Sequence, residues 1–149
     1  MTTLDGMFSM RTTGDLVGKL EADFNRLASA DPDEPEAQYA AYDFFVTAEH
    51  IPDWIKHTSG GSLTSHRSYP DGSLVSHIAS GAKHFHVTNT RHKTASDTEV
   101  VGAFDPAAFD SDAFDVRRLV IKMDDGSMED VLNVAGRVLK HWRDELKRR

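Results

Sequence analysis

Apolar residues recur along this chain at helical spacing in four stretches. Leu16, Leu20, Phe24 and Leu27 fall at i, i+4, i+8 and i+11, which puts them on one face of a helix running from Thr13 to about Ala30. Thr12 or Thr13 can cap its start. Asp31-Pro-Asp-Glu-Pro then breaks the helix and supplies carboxylates to the start of the next, where the helix dipole favours them.

From Glu36 the pattern is helical again. Tyr39, Tyr42, Phe45 and Val46 make one apolar band, and Phe44, Ala48, Ile51 and Ile55 make an adjoining one. So wide a band predicts the most buried helix of the fold. Pro52 removes the amide that would bond to the Ala48 carbonyl, so a kink or a new turn is expected there. Gly/Ser-rich residues 58–65 read as a flexible loop, and Tyr69-Pro-Asp-Gly-Ser reads as a turn with a cap at Asp71 or Ser73. Leu74, Val75, Ile78, Ala82 and Phe85 stripe the next helix, with Ser76, His77, Ser80, Lys83 and His84 on its polar side.

The period changes after His86. Residues 99–104 are β-prone, and Ala-Phe-Asp then recurs at residues 103–105, 108–110 and 113–115. A spacing of five fits neither helix nor strand, so this segment is expected to be an ordered loop whose rings tuck into the core or dock a partner. Val116, Leu119 and Ile121 belong to a strand, Asp124-Asp-Gly is a hairpin turn, and Ser127 to Glu129 is a short return strand or cap. Val131, Leu132, Ala135, Val138, Leu139, Trp142 and Leu146 stripe the last helix. The predicted fold is therefore α-rich α+β: a bundle of about four helices with a small β-hairpin inserted before the C-terminal helix.

Composition narrows this picture. The chain has 149 residues, enough for one domain across its whole length, with residues 1–12 expected to be flexible. It has no cysteine, which excludes disulfides, thiolate ligands and thiol nucleophiles. No stretch approaches the apolar length needed to span a bilayer, so a soluble, cytoplasmic protein that makes no membrane contact is expected. The formal charge of −7 opposes general attraction to nucleic acid or anionic lipid, although residues 137–149 are basic. Those cations suit the end of a helix.

Three constellations could carry chemistry. Glu49, Asp53 and His57 lie on one flank of the second helix with His50 beside them and could bind a divalent metal, particularly with His84 or His86, which makes a metal-binding protein an alternative reading; they form no recognised ligand spacing, so no metal ligand and no cofactor are assigned. His77 and His84 share a side of the following helix, next to Lys83. One imidazole as base and one as acid, with Lys83 stabilising a phosphorane, would be a metal-independent ribonuclease site. The bland alternative is a polar helix face. Finally Tyr42, His50, Asp53 and Trp54, together with His86, line a groove between the two central helices, which could take an unknown protein partner or a second copy of the chain.

Residues 42–54, Tyr-Asp-Phe-Phe-Val-Thr-Ala-Glu-His-Ile-Pro-Asp-Trp, and residues 78–85, Ile-Ala-Ser-Gly-Ala-Lys-His-Phe, resemble a group of small, largely uncharacterised bacterial and phage-borne helical proteins. That resemblance implies relatedness but no activity. A looser similarity is to HEPN-type helical bundles, several of which cleave RNA with an arginine and a histidine on one helix. It implies RNA as an alternative partner, with carry-over onto His84; Ser76, His77 and Ser80 stand upstream in place of the arginine.

Overall fold

A computed structural model describes residues 2–85, 95–101 and 117–149. Five helices and three strands follow in the order α1 (Thr13–Ser29), α2 (Pro35–Ser59), α3 (Leu63–Arg67), α4 (Gly72–His84), β1 (Ala95–Val101), β2 (Arg118–Met123), β3 (Met128–Asp130) and α5 (Val131–Lys147). The architecture is the expected α-rich α+β fold, with a three-stranded antiparallel sheet of order β1-β2-β3 where a hairpin was read. His86 and the three Ala-Phe-Asp repeats lie outside the described residues.

Local chemistry sets the boundaries. Thr12 caps α1: its hydroxyl accepts from the Asp15 amide at 3.0 Å, and the Asp15 carboxylate accepts from the Thr12 amide at 3.0 Å and the Arg11 amide at 2.8 Å. Those hydrogen bonds, led by the one from Arg11, hold the Asp15 carboxyl below its ordinary range. Pro35 opens α2, where its missing amide has no helical partner to lose. α2 continues through Pro52, which is buried, so no new helix starts there. Residues 58–65 are not all loop. Ser62 accepts from the Ser65 amide at 3.0 Å and starts the short α3.

The core lies where α1, α2, α4 and α5 meet one face of the sheet. Leu20, Phe44, Ile51, Ile55, Val75, Val134, Val138 and Trp142 are among its most buried members. Phe44 meets Phe45 edge-on at 5.5 Å and Phe24 tilted at 6.4 Å, ring geometries that aromatic quadrupoles favour. One polar clamp crosses this interior. Asp23, 2% exposed, accepts from Lys19 Nζ at 2.7 and 2.6 Å and from the Thr47 hydroxyl at 2.8 Å, joining α1 to α2.

The sheet joins distant parts of the chain. Thr98 pairs with Ile121 and Val100 with Leu119, while Ile121 pairs with Glu129 on the other side. Gly126, at φ 85°, closes the expected Asp-Asp-Gly turn, and Ser127 O accepts from the Met123 amide at 2.8 Å. As the central strand, β2 buries the consecutive residues Val120 and Ile121, which point to opposite faces. Asp130 then caps α5 by accepting from the Leu132 and Asn133 amides at 2.9 and 3.2 Å.

Four stripe residues depart from the expected burial. Tyr39 and Tyr42 are exposed because they lie on the side of α2 opposite Ala37, Ala40, Phe44 and Ala48. Phe85 is 98% exposed, because α4 ends one residue before it and its positive φ of 63° turns the chain away. Leu132, in the first turn of α5, also lies off the buried face.

Candidate functional site

The two central helices meet. Ser76 on α4 donates to Glu49 Oε2 on α2 at 2.7 Å, and Arg67 on α3 reaches Glu49 Oε1 at 3.1 Å and Asp53 Oδ2 at 3.8 Å. Glu49 is only 20% exposed, so its carboxylate is held between two helices by a hydroxyl and a guanidinium. α3 falls in the Gly/Ser-rich stretch whose composition predicts a loop, and the one local signal for it, and so for the Arg67 anchor, is a serine three residues before another serine, a minimal N-cap pattern.

Around this junction the sequence-predicted residues separate. Trp54 is half-buried and packs against the core. Tyr42, His50 and Asp53 are exposed on the outer side of α2. His77 is half-buried on α4, whereas Lys83 and His84 are exposed in its last turn. His77 and His84 stand roughly 10.5 Å apart along the helix axis, as a rise of about 1.5 Å per residue dictates. An acid and a base must each hydrogen-bond oxygens of one reacting phosphate. To serve it, these imidazoles would have to lean toward each other along α4.

The carboxylate and imidazole cluster of α2 is also dispersed by its partners. Glu49 faces Arg67 and Ser76, and His57 Nε2 is 3.7 Å from Asp5. No three potential ligands gather among the described residues.

Basic side chains of α5 are matched by carboxylates. Arg137 makes a two-pronged contact with Asp71 at 2.9 and 3.2 Å, Lys140 meets Asp144 at 2.6 Å, Arg148 meets Glu145 at 3.2 Å, and Arg143 pairs with Glu21 of α1. Each surface pair contributes little to stability. Together they reduce the positive field that phosphate binding would use.

A cleft that periodicity did not indicate opens between the α3–α4 turn and α5. It encloses about 460 Å³ and is lined by Tyr69, Pro70, Asp71, Arg137, Lys140, His141 and Asp144. Tyr69 stacks on His141 at 4.3 Å with 9° between the rings and meets Trp142 edge-on at 5.1 Å. Burial raises the Tyr69 phenol above its ordinary range, with the neighbouring Trp142 indole acting the other way. Burial likewise lowers His141, against the opposing pull of Glu145. The buried indole N–H of Trp142 meets no acceptor in hydrogen-bond geometry among the described residues. The charged groups lining the cleft are paired with one another, which leaves stacked rings and few free polar groups.

The outer side of α2 is different. Pro35, Tyr39, Tyr42, His50, Asp53 and His57 are exposed there, and Val46 is half-buried at their centre. Tyr39 and Tyr42 are 61% and 54% exposed on a helix whose other side is core. No family model, curated protein or solved structure matches this chain.

Proposed function

We propose that this protein is a non-enzymatic, cytoplasmic interaction module that engages a protein partner through the outer side of α2. The observation that carries this reading is the pair of exposed tyrosines, Tyr39 and Tyr42, one turn apart on a rigid helix. Tyrosine is enriched among residues that dominate binding energy, since it buries a large rigid surface at small entropic cost and retains a hydroxyl for hydrogen bonding. The Glu49 junction and the Asp23 clamp support the same reading, because they hold α2 in place from both sides.

Two assays test it. Replacing Tyr39 and Tyr42 together by serine is expected to weaken partner association at least tenfold while leaving the thermal midpoint nearly unchanged, since neither ring is in the core. Incubation with structured and single-stranded RNA is expected to give no more cleavage by wild-type protein than by His84→Ala. Wild-type cleavage above that control would replace the interaction reading with a ribonuclease.

A further inference from the structure

We infer that the partner of the α2 surface is a second copy of this chain, paired antiparallel about Val46. This deepens the interaction reading above and rests on it. Positions four, seven and eleven before and after any helical residue share its face, so what is particular to this stripe is the order of its side chains: Tyr42, Tyr39 and Pro35 precede Val46, and His50, Asp53 and His57 follow it. A two-fold axis at Val46 therefore matches the stripe to itself, as an isologous interface requires.

The residues this pairing opposes are complementary. Along the seam Val46 meets Val46 of the other copy, and Tyr39 comes opposite Asp53, where the phenol can donate to the carboxylate. On one flank the carboxylates are in the first half of the helix and the imidazoles in the second. Glu36 and Asp43 share a single cation, Arg26, at 2.8 and 2.9 Å, so this half stays net negative. Antiparallel pairing sets Asp43 against His50 and Glu36 against His57, giving imidazole N–H donors to those carboxylates. A parallel pair in register would instead oppose Asp43 to Asp43 and Asp53 to Asp53, and like charges opposed across an interface are unfavourable. The direction of pairing thus follows from the order of charges along α2.

A single helix stripe is much smaller than the roughly 20–30 residues a side of a standard interface, so the dimer is expected to be weak and concentration-dependent. The absence of cysteine from the chain allows a clean geometric test. Helices packed about 8–10 Å apart bring facing Cα atoms within disulfide range, whereas residues seven positions from the axis are separated from their own copies by roughly 21 Å. Under mild oxidation Val46→Cys is expected to form a covalent dimer. Tyr39→Cys and Asp53→Cys should each stay monomeric alone but cross-link when mixed. Circular dichroism of each variant checks its fold, and sedimentation of unmodified protein from ~10 µM to ~1 mM gives the independent measurement, across the range expected for a weak dimer.

A rise in mass with concentration, together with the mixed cross-link, supports the inference. Cross-linking of Tyr39→Cys alone as fast as Val46→Cys overturns it, as does a monomer at every concentration. A monomer that also leaves RNA intact removes self-pairing but not the interaction module, whereas RNA cleavage removes the module itself.

Discussion

The clamp between α1 and α2 offers the most quantitative test of how this fold holds its surface helix. Asp23→Ala removes a carboxylate that is 2% exposed and accepts from Lys19 and Thr47 at 2.6–2.8 Å. The two partners respond differently. Lys19 is 38% exposed and can swing its ammonium into water, so most of its loss is the interaction itself. Thr47 is 6% exposed, so its hydroxyl would be left buried without its carboxylate acceptor. Charge-assisted hydrogen bonds contribute about 1.5–3 kcal/mol, and an unsatisfied buried group costs about 1–3 kcal/mol. Relief of the desolvation of Asp23 offsets part of this, which leaves about 3–4 kcal/mol, at the low end for breaking a buried pair.

Thr47→Val keeps the shape and removes one hydrogen bond, for a loss of about 1–2 kcal/mol. Because the two residues share that bond, the double variant is expected to fall short of the sum by about 1 kcal/mol. Urea unfolding with linear extrapolation measures all three, and Asp23→Ala should also lower the thermal midpoint by roughly 10 °C. A loss below about 1 kcal/mol for Asp23→Ala, or strict additivity in the cycle, would refute the assignment of Asp23 as the clamp.

Other expected outcomes follow from single contacts. Gly72→Ala would place its Cβ 2.0 Å from the Arg67 carbonyl oxygen, so thermal unfolding should show a loss of about 2–3 kcal/mol, as steric overpacking gives. Asp130→Ala removes the acceptor for two amides at the start of α5 and should cost about 1 kcal/mol in urea, as loss of an N-cap does. Burial lowers the pKa of His141 in the folded state, so the unfolded chain binds the proton more readily. Its contribution to stability is therefore full above the ordinary imidazole range and is lost as pH falls through the lowered value. Thermal midpoints across that range should drop less on acidification in His141→Phe, which keeps the ring stacked on Tyr69, than in the wild type; equal slopes would refute this.

Much of the fold is legible in local pattern. Leu16, Leu20 and Leu27, and Val131, Ala135, Val138 and Trp142, recur at helical spacing because a helix can bury only one face, and the structure buries them. Asp-Asp-Gly reads as a turn because glycine takes φ 85° without strain. The same pattern misplaces Tyr39 and Tyr42. Apolar periodicity reports a face, but two adjoining bands on one helix do not reveal which faces the core. α3 was hidden because five residues are too few to show a period, and its only local cue is the Ser62 cap. The Tyr69 cleft was hidden because its walls come from residues 69–71 and 137–144, whose encounter no local spacing records.

The candidate chemistry divides in the same way. Residue types and spacing suffice to single out His50, Asp53, His77, Lys83 and His84, because imidazoles, carboxylates and amines at helical intervals are visible in one dimension. Their partners are not. Glu49 is joined to Ser76 and Arg67, and Arg137 to Asp71, across 27, 18 and 66 residues of chain. The sequence by itself determined where the four long helices run, offered the Thr12 cap of the first, and singled out which side chains could do chemistry, since these depend on neighbours within a few residues. Only the tertiary structure decided which charges are already neutralised and which side of α2 is left uncovered, because charge pairing and burial depend on distances between elements that sequence separation does not encode.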